Sequence, residues 1–284
     1  MVFIVATTYE TVLVEKSSDG IATVKLNRPD KKNAMSPQLH LDMSACLDEL
    51  AYDPEVKVLV VTGAGDSFCA GMDLKEFFVA LDDKPAERER ITKAAEWRSH
   101  RLRLFPKPTI AAINGWCFGG AFSIVASCDI VIAAEEATFG LSEINFGKIA
   151  GGYVSKALSE VMHPRDALYY LLTGDTFDGR RAAEIKFATM AVPLADLSAK
   201  VDELAKKLAN KNPLVARASK EAFRHVVGMD WEQAGAWLAA KGQSLDFQSG
   251  STWKTGVEQF SSKTFRPGLG EYDWQKASEP STQS

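Results

Sequence analysis

Three short runs, 56–62, 109–113 and 129–133, constrain this chain more than anything else in it. Each is rich in Val, Ile and Ala and almost unbroken by polar side chains. A strand that is apolar along its length has both faces covered, as in a parallel sheet flanked by helices; a strand with one wet face would alternate. Helix-length segments fall between the runs. Ser36 can cap a helix, Pro37 suits its first position, and Leu39, Met43, Cys46 and Leu50 recur on one face. The charged segment 82–103 reads as helical and ends before Pro106 and Pro108. A helix of small residues is expected after Gly119 and Gly120. Ahead of these elements, 11–15 and 21–26 flank the turn Ser18-Asp-Gly20 and read as a hairpin. The pattern is that of an α/β fold. From about Leu197 it turns helical, over 201–209, 213–227 and 231–243, with little strand signal. We therefore divide the chain into a core, 1–196, and a helical C-terminal region, 197–284, whose polar tail 277–284 is expected to be mobile.

Composition narrows the function. The 284 residues are 46% hydrophobic and 25% charged, with a net charge of −4. There is no basic excess of the kind nucleic acid or an anionic membrane surface demands. No run is long and apolar enough to span a bilayer, and the first residues lack the basic start and cleavage site of a signal peptide, so a cytoplasmic protein is expected. Cys46, Cys69, Cys117 and Cys128 show no paired spacing and sit in apolar segments, which reads as buried thiols in a reducing compartment. The four histidines are scattered, and no metal site is expected.

Chemistry concentrates in two glycine bends, Phe68-Cys-Ala-Gly-Met-Asp73 and Asn114-Gly-Trp-Cys-Phe-Gly-Gly-Ala-Phe-Ser123. Each follows a strand-like run and can turn one backbone N–H toward a common point. Two converging amides hold an oxygen that becomes negative during a reaction. A single carboxylate, Glu143, follows in Phe139-Gly-Leu-Ser-Glu-Ile-Asn145. An oxyanion clamp with one acid/base group points to enolate chemistry.

These motifs, together with Leu26-Asn-Arg-Pro29, Asn33-Ala34, Pro108 to Gly115 and Cys128-Asp129, make the chain resemble the crotonase (enoyl-CoA hydratase/isomerase) superfamily from about Val12 to Gly268. Within it, Gly71 to Glu76, Asn114 to Gly120, Phe122-Ser123, Gly140 to Asn145, Asp166 to Tyr170, Trp231 to Ala234 and Arg266 to Leu269 resemble the hydroxycinnamoyl-CoA (feruloyl-CoA) hydratase-lyases. The resemblance implies a spiral of ββα units with a helical C-terminal region that builds trimers, two of which stack as a hexamer. It implies an acyl-CoA thioester substrate, with CoA part of that substrate and no separate cofactor. The implied reaction hydrates a feruloyl- or 4-hydroxycinnamoyl-CoA and cleaves it to an aromatic aldehyde of vanillin type and acetyl-CoA. The alternative is an enoyl-CoA hydratase acting on another aryl or acyl chain without C–C cleavage.

Residue by residue, the resemblance places the oxyanion clamp at the amides of Met72 and Gly120 and the acid/base group at Glu143. Ser123 stands where many simple hydratases carry a second glutamate; its hydroxyl can hydrogen-bond a water, a substrate hydroxyl or the thioester oxygen. The backbone from Ala70 through Gly71, Asp73 and Leu74 would lie along CoA, with Lys31 and Lys75 near its phosphates; for either lysine alone, a solvated surface charge reads equally well. Gly119, Ser142 and Gly151 complete the substrate-binding positions. The aromatic end departs from the lyase pattern: Phe77 and Ala239 replace two tyrosines, with Trp237 near the second, and Phe146 replaces a tryptophan. Tyr153 offers a replacement hydroxyl, although simple core packing reads equally well for it.

Overall fold

The computed structural model describes residues 3–250 and 253–263; the tail 277–284 and the motif 266–269 lie outside the described residues. Among the described residues eleven strands form two sheets: β1 (Phe3–Thr8), β2 (Val12–Ser17), β3 (Ile21–Leu26), β4 (Val58–Gly63), β5 (Ser67–Cys69), β6 (Thr109–Ile113), β7 (Trp116–Phe118), β8 (Ile130–Ala134), β9 (Thr138–Gly140), β10 (Thr176–Asp178) and β11 (Met190–Val192). The larger sheet runs β1-β2-β3-β4-β6-β8-β11 and the smaller β10-β9-β7-β5. The expected hairpin is present: Val12 faces Leu26 and Val14 faces Val24 across an antiparallel ladder. From β3 onward the large sheet is parallel. The three apolar runs are its central strands β4, β6 and β8, and their Val, Ile and Leu side chains are buried, apart from the half-buried Ile130.

The unit repeats along the chain. One strand joins the large sheet, a tight turn follows, and a three-residue strand joins the small sheet. This happens at β4–β5, β6–β7 and β8–β9. After β7 the next element is the helix Ala121–Ser127, almost wholly buried. This is the repeating ββα arrangement that the resemblance implies. The helix Pro37–Tyr52 starts as expected, the Ser36 hydroxyl accepting from the Leu39 amide at 3.2 Å.

The segment 82–103 departs from the single helix expected of it. It comprises Pro85–Ala94, a 3₁₀ turn Ala95–Arg98 and a last turn His100–Arg103. The 3₁₀ turn buries Trp97 and Arg98, which tertiary contacts draw out of helical register.

The helix Leu194–Ala209 packs on the large sheet, whereas Trp231–Ser249 packs on Pro213–Val226. The latter pair forms an arm tied to the core through Asp129. That carboxylate accepts from Lys220 at 2.7 Å, from Arg224 at 3.1 Å, and from the amide and hydroxyl of Thr109 at 2.9 Å. All four cysteines are buried and unpaired. No helix among the described residues is long and apolar enough to cross a membrane.

Candidate active site

Strands β5, β7 and β9 lie side by side and parallel in the small sheet. Just beyond their C-terminal ends stand Met72, Gly120 and Glu143. The carboxyl ends of parallel strands are where open α/β sheets place ligand sites, because side chains and loop amides there are not consumed by the sheet.

Met72 is held by a short parallel bridge to Met35: the Met35 amide donates to Gly71 O at 2.7 Å and the Asp73 amide to Met35 O at 3.0 Å. In such a bridge the central residue's own N–H points away from its partner, and among the described residues the Met72 amide has no acceptor. Gly120 opens the helix Ala121–Ser127, and its amide is likewise without an acceptor there. The two bends touch. Gly71 has a φ of +91°, and a Cβ on it would lie 2.8 Å from Phe118 O and 3.6 Å from the Gly120 nitrogen.

Glu143 lies in the 3₁₀ turn Ser142–Phe146. A Cβ on Gly119, whose φ is +51°, would come within 2.7 Å of Glu143 Oε1, so glycine there is what lets the carboxyl reach the 119–120 bend. Oε2 is buried with no hydrogen-bond partner among the described residues. Burial raises the Glu143 pKa above the usual carboxylate range, against a smaller lowering by a backbone hydrogen bond.

Ser123 is fully buried, and its hydroxyl donates to the Gly120 carbonyl at 2.7 Å. As it stands, its proton is committed to Gly120.

The loop preceding the clamp is braced by the residues of the Asn-Arg-Pro motif. Asn33, left-handed at φ +56° and fully buried, accepts from the Arg28 amide and donates to Ala64 O and Ser67 O. Arg28 ion-pairs with Asp73 at 3.0 Å and Glu76 at 2.6 Å. Asp73 caps the π-helical turn Leu74–Val79 through the amides of Lys75 and Glu76. Burial pushes the Asp73 pKa up, but the Glu76 amide, Arg28 and the Lys75 amide outweigh it and hold the carboxyl below its usual range. Asp73 thus shapes the loop.

Lys31, in the 3₁₀ turn Pro29–Lys31, Leu74 and Lys75, in the π-helical turn, and Phe146, in the Glu143 turn, are exposed, with Ala70 half-buried; the Ala70 amide donates to Lys32 O at 2.9 Å. Phe77 is buried with Leu81 and Ile91, and Met72 packs against that cluster. Ser142 is half-buried one residue before Glu143, and Gly151 is exposed on the following loop. Tyr153, at φ +69°, lines a cleft with His100, Arg103, Ala126 and Glu160. Trp237 stacks on His225 at 5.1 Å within the arm, and Ala239 is exposed on the same helix, away from the loops bearing Met72, Gly120 and Glu143.

One residue near the clamp escaped sequence reasoning. Arg98, only 8% exposed, lies against both bends: its Nη1 is 3.5 Å from Met72 Sδ and would be 2.5 Å from a Cβ on Gly120. Only its neighbour Trp97, a large apolar residue inside a charged run, hinted that this turn faces inward.

The enoyl-CoA hydratase/isomerase family model matches residues 16–265. The chain belongs to the enoyl-CoA hydratase/isomerase family. It is 48% identical over 270 residues to a hydroxycinnamoyl-CoA hydratase-lyase from Pseudomonas fluorescens, covering 93% of this chain and 97% of that protein. It is 33% identical over 219 residues to an (E)-benzylidenesuccinyl-CoA hydratase from Thauera aromatica, covering 75% and 81%. Among solved structures, an enoyl-CoA hydratase from Bacillus anthracis superposes with a TM-score of 0.80 at 26% identity, over 89% of this chain and 97% of that one.

Proposed function

We propose that this family member is a hydratase-lyase for feruloyl-CoA and related 4-hydroxycinnamoyl-CoA thioesters. The observation that carries the proposal is the meeting of two acceptor-free amides, Met72 and Gly120, with the partly desolvated carboxyl of Glu143. The likeness to the Pseudomonas hydratase-lyase supports the substrate class.

In the first step Glu143 takes a proton from water as its oxygen bonds to Cβ. The electron pair of the double bond moves onto the thioester oxygen, where both amides receive it, and Glu143 then returns the proton to Cα. In the second step the β-hydroxyl loses its proton to Glu143 and the Cα–Cβ bond breaks. An aromatic aldehyde leaves, and the remaining acetyl-CoA enolate, again held by the two amides, is protonated at Cα. One clamp and one carboxyl serve both steps. Ser123 supports Gly120, and the loop 70–75 with Lys31 and Lys75 receives CoA. Phe77, Phe146 and Tyr153 belong to the aryl end, where Tyr153 is the candidate replacement for the absent tyrosines. The protein acts as a homotrimer or a dimer of trimers in the cytoplasm, with Trp237 and Ala239 on the assembling arm.

The test is a product assay. Feruloyl-CoA should yield vanillin and acetyl-CoA in equal amounts. Accumulation of the β-hydroxy thioester alone would place the enzyme among hydratases without C–C cleavage, a reading favoured by the lack of a phenol-binding hydroxyl at Phe77.

A further inference from the structure

Arg98 is a buried cation with no anion beside it. Among the described residues it makes no ion pair, and its single hydrogen-bond contact is Met72 Sδ at 3.5 Å. Burying a guanidinium without a counter-charge is costly, so the fold spends stability to keep it there. Two glycines make the space. A Cβ on Gly120 would lie 2.5 Å from Nη1, and one on Gly152, at φ +62°, only 1.9 Å from Nη2. The guanidinium therefore bridges the clamp and the loop that follows Glu143.

Its other titratable neighbours stay neutral over the working range. Burial, helped by Arg98 itself, lowers the His40 pKa to about 3. Burial raises the Cys69 thiol to about 12. His40 also accepts from Trp97 Nε1 at 3.1 Å, which fixes the turn carrying Arg98.

We propose that Arg98 is the electrostatic partner of the thioester enolate: a fixed positive charge beside both clamp residues that is balanced only when the oxygen they hold becomes negative. The proposal rests on the clamp reading of Met72 and Gly120 and adds to it. Amides alone supply dipoles, whereas Arg98 supplies a full charge in a site where water is scarce, and such a charge acts more strongly there than in solvent. It favours the enolate over the neutral thioester, so it should act on kcat more than on KM.

Acetoacetyl-CoA is a suitable probe, since its enolate and keto forms absorb differently in the ultraviolet. Its apparent pKa is titrated free, bound to the parent, and bound to R98Q and R98K, with circular dichroism and melting curves to show that each variant is folded. The parent should lower the probe's pKa relative to the free thioester. R98Q should lose roughly tenfold or more in the enolate-to-keto ratio at fixed pH, about one pH unit. R98K, which keeps the charge, should retain most of the effect. With feruloyl-CoA, R98Q should lose at least about tenfold in kcat with KM little moved. A folded R98Q that holds the enolate as well as the parent overturns the proposal. If R98Q is insoluble, an R98K that loses the whole effect overturns it instead. Should the parent itself leave the probe's pKa unmoved, the clamp reading fails and takes this proposal with it; equal shifts in parent and R98Q would leave the clamp standing and remove Arg98 alone.

Discussion

In its proposed acid/base role, Glu143 carries opposing demands on one side chain. Proton transfer asks for a carboxyl that titrates near working pH, and burial against Gly119 moves it that way at a cost to folding. The sign of that cost is fixed. With its native pKa raised, the folded chain holds the proton more tightly than the unfolded one. Stability from this group is therefore present at low pH and lost as pH rises through the raised value. E143Q should accordingly melt higher than the parent at pH 8, with the difference vanishing below the ordinary glutamate range, as thermal scans at both ends would show. The same variant should lose about a hundred- to ten-thousand-fold in kcat. In the parent, the acid limb of kcat/KM should lie above the usual carboxylate range, and a limb at the ordinary glutamate value would contradict the assignment. At this scale the sequence was informative about where the backbone bends. Met72, Gly120 and Glu143 stand in bends whose glycines mark close approach. Arg98 was not legible, because a cation inside a charged run gives no sign that a 3₁₀ turn will rotate it inward.

At the scale of elements, legibility followed the range of the stabilising contacts. The strands β4, β6 and β8 declare themselves because their burial is written in consecutive apolar residues. The strands β5, β7, β9 and β10 have three residues each and exist only because distant partners supply their hydrogen bonds, so no local window reports them. The arm illustrates the same rule through charge. Asp129, just before β8, collects Lys220 and Arg224 from Pro213–Val226, whose two cations are nearly buried. D129A leaves both without an anion and should cost about 3 kcal/mol of unfolding free energy by urea titration. Replacing Lys220 with Met in the same chain should recover part of that loss, since one orphaned charge goes with it; full additivity of the two changes would mean the carboxylate and ammonium are not coupled.

The whole molecule leaves apolar surface uncovered along its C-terminal arm: Trp231 is 91% exposed, Phe247 90%, Phe223 67% and Phe260 59%. Exposed apolar patches of this kind mark association, and closed rings are the usual outcome for identical chains. Light scattering should give three or six times the 31.0 kDa chain mass. The double variant W231E/F247E should shift the mass toward one chain, and an unchanged mass would place the interface elsewhere.

The parallel neighbours β5 and β7 add one more property. Because Met72 and Gly120 follow neighbouring paired strands, about 4.8 Å apart, the two bends that carry the proposed donors are held side by side by the sheet. Surrounding loops can lengthen, and aryl-facing side chains can be exchanged, without altering that arrangement. Substrate preference in such a protein is free to drift while the two bends keep their places.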